Sequence, residues 1–260
     1  MEVLIFFISF LSSVVGAVCG IGGGVIIKPV LDAANIMGVA GISFLSGCTV
    51  LSMSVVSVFR QMRQGSGKID WKTSTPLAVG AAVGGVVGKS GFQYVMGFFG
   101  DQNRVGAIQA LVLIVLTVGT LVYTLCSDRI HTLQVRNAAA CLGIGLVLGV
   151  LSSFLGIGGG PINLVVLYYF FSMSVKTAAV NSLYMIMFSQ AASLLHTLAG
   201  RNIPEVSGVY LGVMVIGGVL GGLLGSKAHR IVSERAEKIL FVMLMIVIVG
   251  INVYNFVKFS

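Results

Sequence analysis

Two copies of the pentapeptide Gly-Ile-Gly-Gly-Gly, at Gly20–Gly24 and Gly156–Gly160, are the stretches of this chain best equipped for chemistry. Each follows a long apolar run and precedes a shorter one, so each falls where a helix would otherwise continue. Glycine interrupts a helix and lets bare backbone approach a ligand. A helix restarting at Val25 or at Pro161 leaves its first amide N–H groups without intrahelical partners. Proline suits the first helical position, because its missing N–H costs nothing there. The orphan donors, with the positive end of the helix dipole, attract a small anion without a full positive charge. The expected substrate-binding backbone is therefore Gly22, Gly23 and Gly24 in one copy and Gly158, Gly159 and Gly160 in the other. Nothing in the pattern calls for a catalytic group, a metal or a cofactor.

Nearby side chains extend this candidate site. Lys28, four residues into the first short run, has no counterpart in the second, where Leu164 stands. An ionisable residue inside a membrane segment is functional by default, so Lys28 either offers a cation to the anion or snorkels to the interface. Asn163 and Asn181 are buried-amide candidates that need partners. Ser43, Ser46, Ser54 and Ser57 share one helix face, with Cys48 and Thr49 beside it, and Ser46 and Cys48 join the substrate-binding set. Asn181 and Gln190, nine residues apart, fall on opposite faces of their helix and cannot share a pocket. No Asp or Glu is expected well inside a segment, with Asp32 and Glu237 placed at segment ends or in loops; this favours downhill export or a coupling ion held by backbone oxygens. Two apparent nucleotide motifs fail. Val25 and Pro161 occupy the third-glycine position of a dinucleotide fingerprint, and Val83 stands where a phosphate loop ending in Gly88-Lys89-Ser90 needs glycine.

The elements that must position these residues are membrane helices. Of 260 residues 57% are apolar and only 9% charged, whereas a soluble domain carries about 25% charged residues. Mean hydropathy is +1.03. Apolar runs at 3–18, 25–34, 41–59, 74–99, 105–126, 135–155, 161–175, 177–199, 206–226 and 239–257 leave almost no chain for an extramembrane domain. The net charge of +8 comes from Lys and Arg placed mostly in short connectors. That is the pattern of topology and anionic headgroups and argues against a nucleic-acid partner. The partners expected from these residues are a small anion and the lipid bilayer. Cys19, Cys48, Cys126 and Cys141 show no metal-binding spacing and read as small apolar residues. The first run lacks a basic n-region, Glu2 being its only charge, so it is expected to be retained and not cleaved.

Sliding the chain by 136 residues superimposes the two pentapeptides. Gly84-Gly85-Val86-Val87-Gly88 matches Gly217-Gly218-Val219-Leu220-Gly221 at an offset of 133, as does Gly67-Lys68 with Gly200-Arg201. These longer-span glycines read as helix-packing positions. The chain is expected to be one all-α polytopic membrane domain. Repeat 1 covers 1–126, the linker 127–136 and repeat 2 137–260. If each glycine break turns the chain back as a hairpin, Arg60, Arg63, Lys68, Lys72, Arg129, Arg136, Lys176, Lys227, Arg230, Arg235 and Lys238 collect on one side. The other side keeps Arg104, Arg201 and Lys258. The positive-inside rule then selects ten segments, inverted repeats of about five segments each, re-entrant hairpins at the glycines, and both termini outside.

These residues resemble the TauE/SafE family of sulfite exporters. The glycine pentapeptide followed by a half-helix with a nearby proline, Pro29 or Pro161, looks like that family's signature, and Val175–Ser182 (VKTAAVNS) resembles its second. The resemblance spans essentially the whole chain. It implies that the anion is a small sulfur-containing or organic one, sulfite or an organosulfonate such as sulfoacetate, transported across a bacterial inner membrane with no enzymatic activity. Mapped here, the signature covers Gly20–Gly24, Pro29, Gly156–Gly160, Pro161 and Asn181–Ser182; Lys28 departs from it. Two other readings compete with an anion carrier. One is a sulfur-relay transporter or membrane enzyme using Cys19 or Cys48, and the other is an anion channel.

Overall fold

The computed structural model describes every residue except 65–68, 128–129, 202 and 260. Gly67, Lys68 and Arg129, used above in the repeat and charge arguments, lie outside the described residues. The described chain forms ten helices: α1 (Glu2–Cys19), α2 (Gly24–Ala34), α3 (Val39–Gln64), α4 (Trp71–Phe99), α5 (Gln102–Cys126), α6 (Ala138–Leu155), α7 (Pro161–Phe171), α8 (Val175–Ala199), α9 (Gly208–Ile231) and α10 (Glu234–Phe259). Seven of them, α1, α3, α5, α6, α8, α9 and α10, are long and apolar enough to cross a membrane. The fold is all-α and multi-pass.

Both pentapeptides end a helix as anticipated, but only one arm of each hairpin is short. α1 and α6 have 18 residues each and qualify as full spans. α2 and α7 have 11 residues each, about 16 Å, or half of a hydrocarbon core of about 30 Å. α1 stops at Gly20 (φ 73°) and α6 at Gly156 (φ 67°), each with the cap residue in the left-handed conformation that glycine adopts most readily. α7 starts at Pro161, whereas α2 starts one residue earlier than the sequence suggests, at Gly24, because Gly23 already has helical dihedrals (φ −67°, ψ −21°). α7 also ends at Phe171, short of the apolar run, where Ser172 turns left-handed (φ 52°).

Packing registers give the helix directions. α1 and α9 run parallel: Gly217 packs on Phe6 and Ser9, Gly221 on Phe10 and Ser13, and Gly225 on Val14 and Ala17. α4 and α6 run parallel in the same way, with Gly80, Gly84 and Gly88 on Leu142, Leu146 and Val150. Small residues let these backbones meet directly, as membrane helices require in the absence of a hydrophobic drive between them. α9 follows α3, with Gly218 on Thr49 and Gly222 on Met53. α8 follows α4, pairing Ser74 with Asn181, Gly85 with Ser189 and Ser90 with His196. α5 and α10 are antiparallel, since Gly106 meets Phe259 while Ser127 meets Lys238. α3 and α8 cross in opposite directions: Gly47 faces Gln190 and Leu194, and Met53 shares a cluster with Leu183.

Advancing every helix by five maps most of these pairings onto one another. The pair α1/α9 becomes α6/α4, α3/α9 becomes α8/α4, and α2/α10 becomes α7/α5. The relation reaches single residues. A methyl placed on Gly20 would strike Ala179, and one on Gly156 would strike Ser43; Ser43 and Ala179 are themselves 136 positions apart.

Candidate functional site

The two glycine segments meet. A methyl on Gly24 would overlap the Ile157 carbonyl, and Gly159 approaches the Ile21 carbonyl. The junction lies between the middles of α3 and α8, where Val50 and Ile186 close over it. A methyl on Gly22 would make ordinary contact with both side chains at 3.5–3.6 Å. One on Gly158 would lie 2.7 Å from Val50, and one on Gly159 would overlap Ile186. Three of these glycines are left-handed, Gly22 (φ 79°), Gly158 (φ 73°) and Gly159 (φ 157°), which excludes most side chains on backbone grounds alone.

Among the described residues, the N–H groups of Gly22, Gly23, Gly24 and Val25 have no hydrogen-bond partner, and neither do those of Gly158, Gly159 and Gly160. Buried amide groups are nearly always paired. Here two rows of them lie at the starts of α2 and α7, the positive ends of both helix dipoles. Polar side-chain atoms left without partners gather around the same place. They are the hydroxyls of Ser13, Ser43, Ser46, Ser152 and Ser153 and the Oδ1 of Asn163. The Ser46 Oγ lies 2.9 Å from the methyl position on Gly24, and Asn163 lines two small cavities of about 10 Å³ behind the second segment. By contrast Ser54 and Thr49 satisfy themselves on the carbonyls of Leu51 and Leu45, and Ser57 donates to Gly222 of α9.

The remaining predicted residues lie apart from this junction. Asn181 sits at the α4–α8 contact, where its Oδ1 accepts from the Asp70 amide and the Ser74 hydroxyl and its Nδ2 donates to the Thr177 carbonyl. Gln190, on the other face of α8 as its spacing requires, instead reaches Gly158 and Gly47. Cys48 is half-buried against the apolar cluster of Ile42, Leu45 and Leu194. All four cysteines are free.

Lys28 does not snorkel, and it is not an isolated cation. It is 1% exposed, and its Nζ donates to Asp32 Oδ2 at 2.7 Å, one turn further along α2. The expectation that no carboxylate lies inside a segment is thereby corrected for Asp32. It is corrected again for Glu237, which is 1% exposed at the start of α10 beside His229 of α9. The two have different causes. Asp32 lies within the run 25–34 and is interior because Lys28 pairs with it, whereas α10 starts at Glu234, ahead of the run that begins at 239, so Glu237 becomes interior. Lys89, near the end of α4, is buried as well, its ammonium 5.0 Å from the Phe92 ring centre. It borders a recess of about 450 Å³ with Ala40 and Pro204.

At the opposite end of the helices a cavity of about 290 Å³ opens between α5, α7, α8 and α10. Its walls include Cys19, which immediately precedes the first glycine segment, and Leu164, four residues after the second. The cavity therefore reaches from one protein face toward the glycine junction, while the Lys89 recess lies on the other face.

The profile of the sulfite exporter TauE/SafE family matches residues 5–253. A probable membrane transporter protein of Methanocaldococcus jannaschii, MJ0441, is 24% identical over 91% of this chain and 90% of its own length. The probable membrane transporter protein YunE of Bacillus subtilis is 22% identical over 95% and 94% respectively. No solved structure matches the chain at a significant level. On the strength of a match that covers eight of its ten helices in full and most of the first and last, the chain belongs to the sulfite exporter TauE/SafE family and is a multi-pass membrane transporter of that type.

Proposed function

We propose that this protein carries small oxyanions, sulfite or organosulfonates, across a bacterial inner membrane, and that the anion binds at the junction of the two glycine segments. The observation carrying this reading is the set of unpartnered backbone N–H groups at two converging helix starts. Such donors hold an anion by charge-assisted hydrogen bonds, each worth about 1.5–3 kcal/mol. Broken helices facing each other at mid-depth are the arrangement secondary carriers use. The antiparallel courses of α3 and α8, and the five-helix exchange of pairings, support two inverted repeats around that point. With the connectors rich in Lys and Arg placed inside, both termini lie outside and the 290 Å³ cavity faces the cytoplasm.

In this reading Lys28 is not a ligand. Its charge is neutralised by Asp32, and α2, held to α10 by Asn255 on the Pro29 carbonyl and Lys258 on the Ala33 carbonyl, closes the outer side of the first hairpin. Ser46 and Asn163 contribute polar contacts, and Asn181 fixes α4 to α8. The thiol alternative is tested at the same time. Cys19→Ser and Cys48→Ser should leave transport largely intact, whereas a sulfur relay would lose it.

The deciding experiment is a proteoliposome panel of labelled sulfite, thiosulfate, sulfoacetate and taurine. Saturable counterflow of the anions is the expected result. No flux of any of them, or flux that never saturates, would remove the carrier reading.

A further inference from the structure

His229 and Glu237 form a buried acid–base couple that anion binding does not use. His229 is 0% and Glu237 1% exposed. The His229 Nδ1 lies 2.8 Å from Glu237 Oε1 and 2.9 Å from the Val18 carbonyl oxygen. One N–H can point at only one of these acceptors. The Nδ1 hydrogen bond goes to Val18; the other ring nitrogen, Nε2, has no hydrogen-bond partner, and neither does either carboxylate oxygen of Glu237. A buried couple left this incomplete has room for one more proton.

It also has access to one. Glu237 lines the 290 Å³ cavity, and Val18 precedes Cys19, which lines it too. The titratable and charged groups that share the cavity lining with Glu237 are Cys19 of α1, Tyr123 of α5, Tyr168 of α7, and Glu234 and Lys238 of α10. Lys238 is engaged with the Ser127 hydroxyl. Lys227 and Arg230, on α9 itself, face outward.

We infer that His229 and Glu237 together are a proton-binding site that couples proton movement to anion movement through this cavity, an inference that rests on the anion-carrier reading above. With neutral imidazole and ionised carboxylate the couple carries one negative charge. Taking one proton from cavity water makes it neutral overall, as imidazolium–carboxylate or as imidazole–carboxylic acid. No covalent bond other than that to the proton is made or broken. A buried negative charge beside the route disfavours an anion, so the loaded couple admits it. By linkage the bound anion favours the loaded couple equally. Proton and anion therefore travel in the same direction.

The test uses the purified full chain in proteoliposomes with labelled sulfoacetate, whose own charge does not change near neutral pH, and with voltage clamped. At equal pH the wild type exchanges sulfoacetate. An imposed gradient of one pH unit then drives roughly tenfold accumulation at one proton per anion, with matching proton movement reported by an internal pH dye. In Glu237→Gln and His229→Gln the ratio of gradient-driven accumulation to equal-pH exchange falls to about one. Wild-type exchange with no accumulation and no proton movement would overturn the coupling while leaving the carrier reading intact, and needs no variant to fold. Full gradient response in Glu237→Gln would overturn the assignment of the site. Absence of any wild-type exchange would instead remove the anion reading and this inference with it.

Discussion

The two glycine hairpins begin alike and diverge one turn later. Both have a left-handed glycine cap, a meeting of backbones, and an 11-residue second arm with unpartnered donors at its start. One turn into that arm, α2 carries Lys28 and Asp32, while α7 carries Leu164 and Tyr168 at the same offsets of 136. The charged pair is buried, and the α2 backbone beside it is bound to α10 through the Pro29 and Ala33 carbonyls. Leu164 and Tyr168 instead line the open cavity. The shared part is what two helix starts need in order to face one ligand. The divergent part makes one side of the molecule closed and the other open, a difference between two faces that a carrier must be able to reverse.

The largest effect should come from giving the first hairpin the residues of the second. Lys28→Leu alone leaves Asp32 buried without its partner, a loss of about 3–5 kcal/mol, visible as a lower melting temperature in detergent. Adding Asp32→Tyr should recover most of that stability. A single variant as stable as wild type would mean the pair is not buried.

The equivalent glycines Gly24 and Gly160 offer the next comparison. A methyl at Gly24 overlaps the Ile157 backbone, but at Gly160 it meets only side-chain ends at 3.2 and 3.8 Å, on extended backbone (φ 176°) that any residue adopts. Gly24→Ala should push the hairpins apart and cost at least one charge-assisted hydrogen bond to the anion. That is about 1.5–3 kcal/mol, or roughly ten- to a hundredfold in affinity. Gly160→Ala should change affinity only a few-fold. Equal effects in a transport titration would contradict the packing described.

The smallest effect is expected for two serines. Ser46 and Ser182 are 136 residues apart, and both hydroxyls are buried without a partner. Only Ser46 approaches its glycine, Gly24; no atom of Ser182 lies within 4 Å of the methyl position on Gly160. Ser46→Ala should weaken anion binding by about 1 kcal/mol, Ser182→Ala by less, and neither should alter folding. Binding isotherms for the two variants would separate them.

Much of this was legible in the sequence, because glycine duplication and apolar runs are local signals. Ten runs gave ten helices, and the helix starts at Pro161 and beside Val25 follow from residue chemistry. The closing pair Val50 and Ile186 was also readable, since it repeats the 136 offset. So was the Lys28–Asp32 pair, which has the i,i+4 spacing of an intrahelical ion pair but lies at the edge of its run. The His229–Glu237 couple had no such signal. It depends on the turn at 232–233 bringing α9 back against α10, and on both helices continuing past the apolar runs that end at 226 and begin at 239. Asn181 read correctly as an amide needing partners, but its partners Asp70 and Ser74 are set by the α4–α8 contact, which no spacing within α8 reveals.

Crystals soaked with selenite, the heavier congener of sulfite, would test the central claim most directly through the anomalous signal of selenium. The prediction is a peak within hydrogen-bonding distance of the amides of Gly23–Val25 and of Gly158–Gly160. A peak found only beside Lys89 or in the Glu237 cavity, with none between the glycine segments, would contradict it.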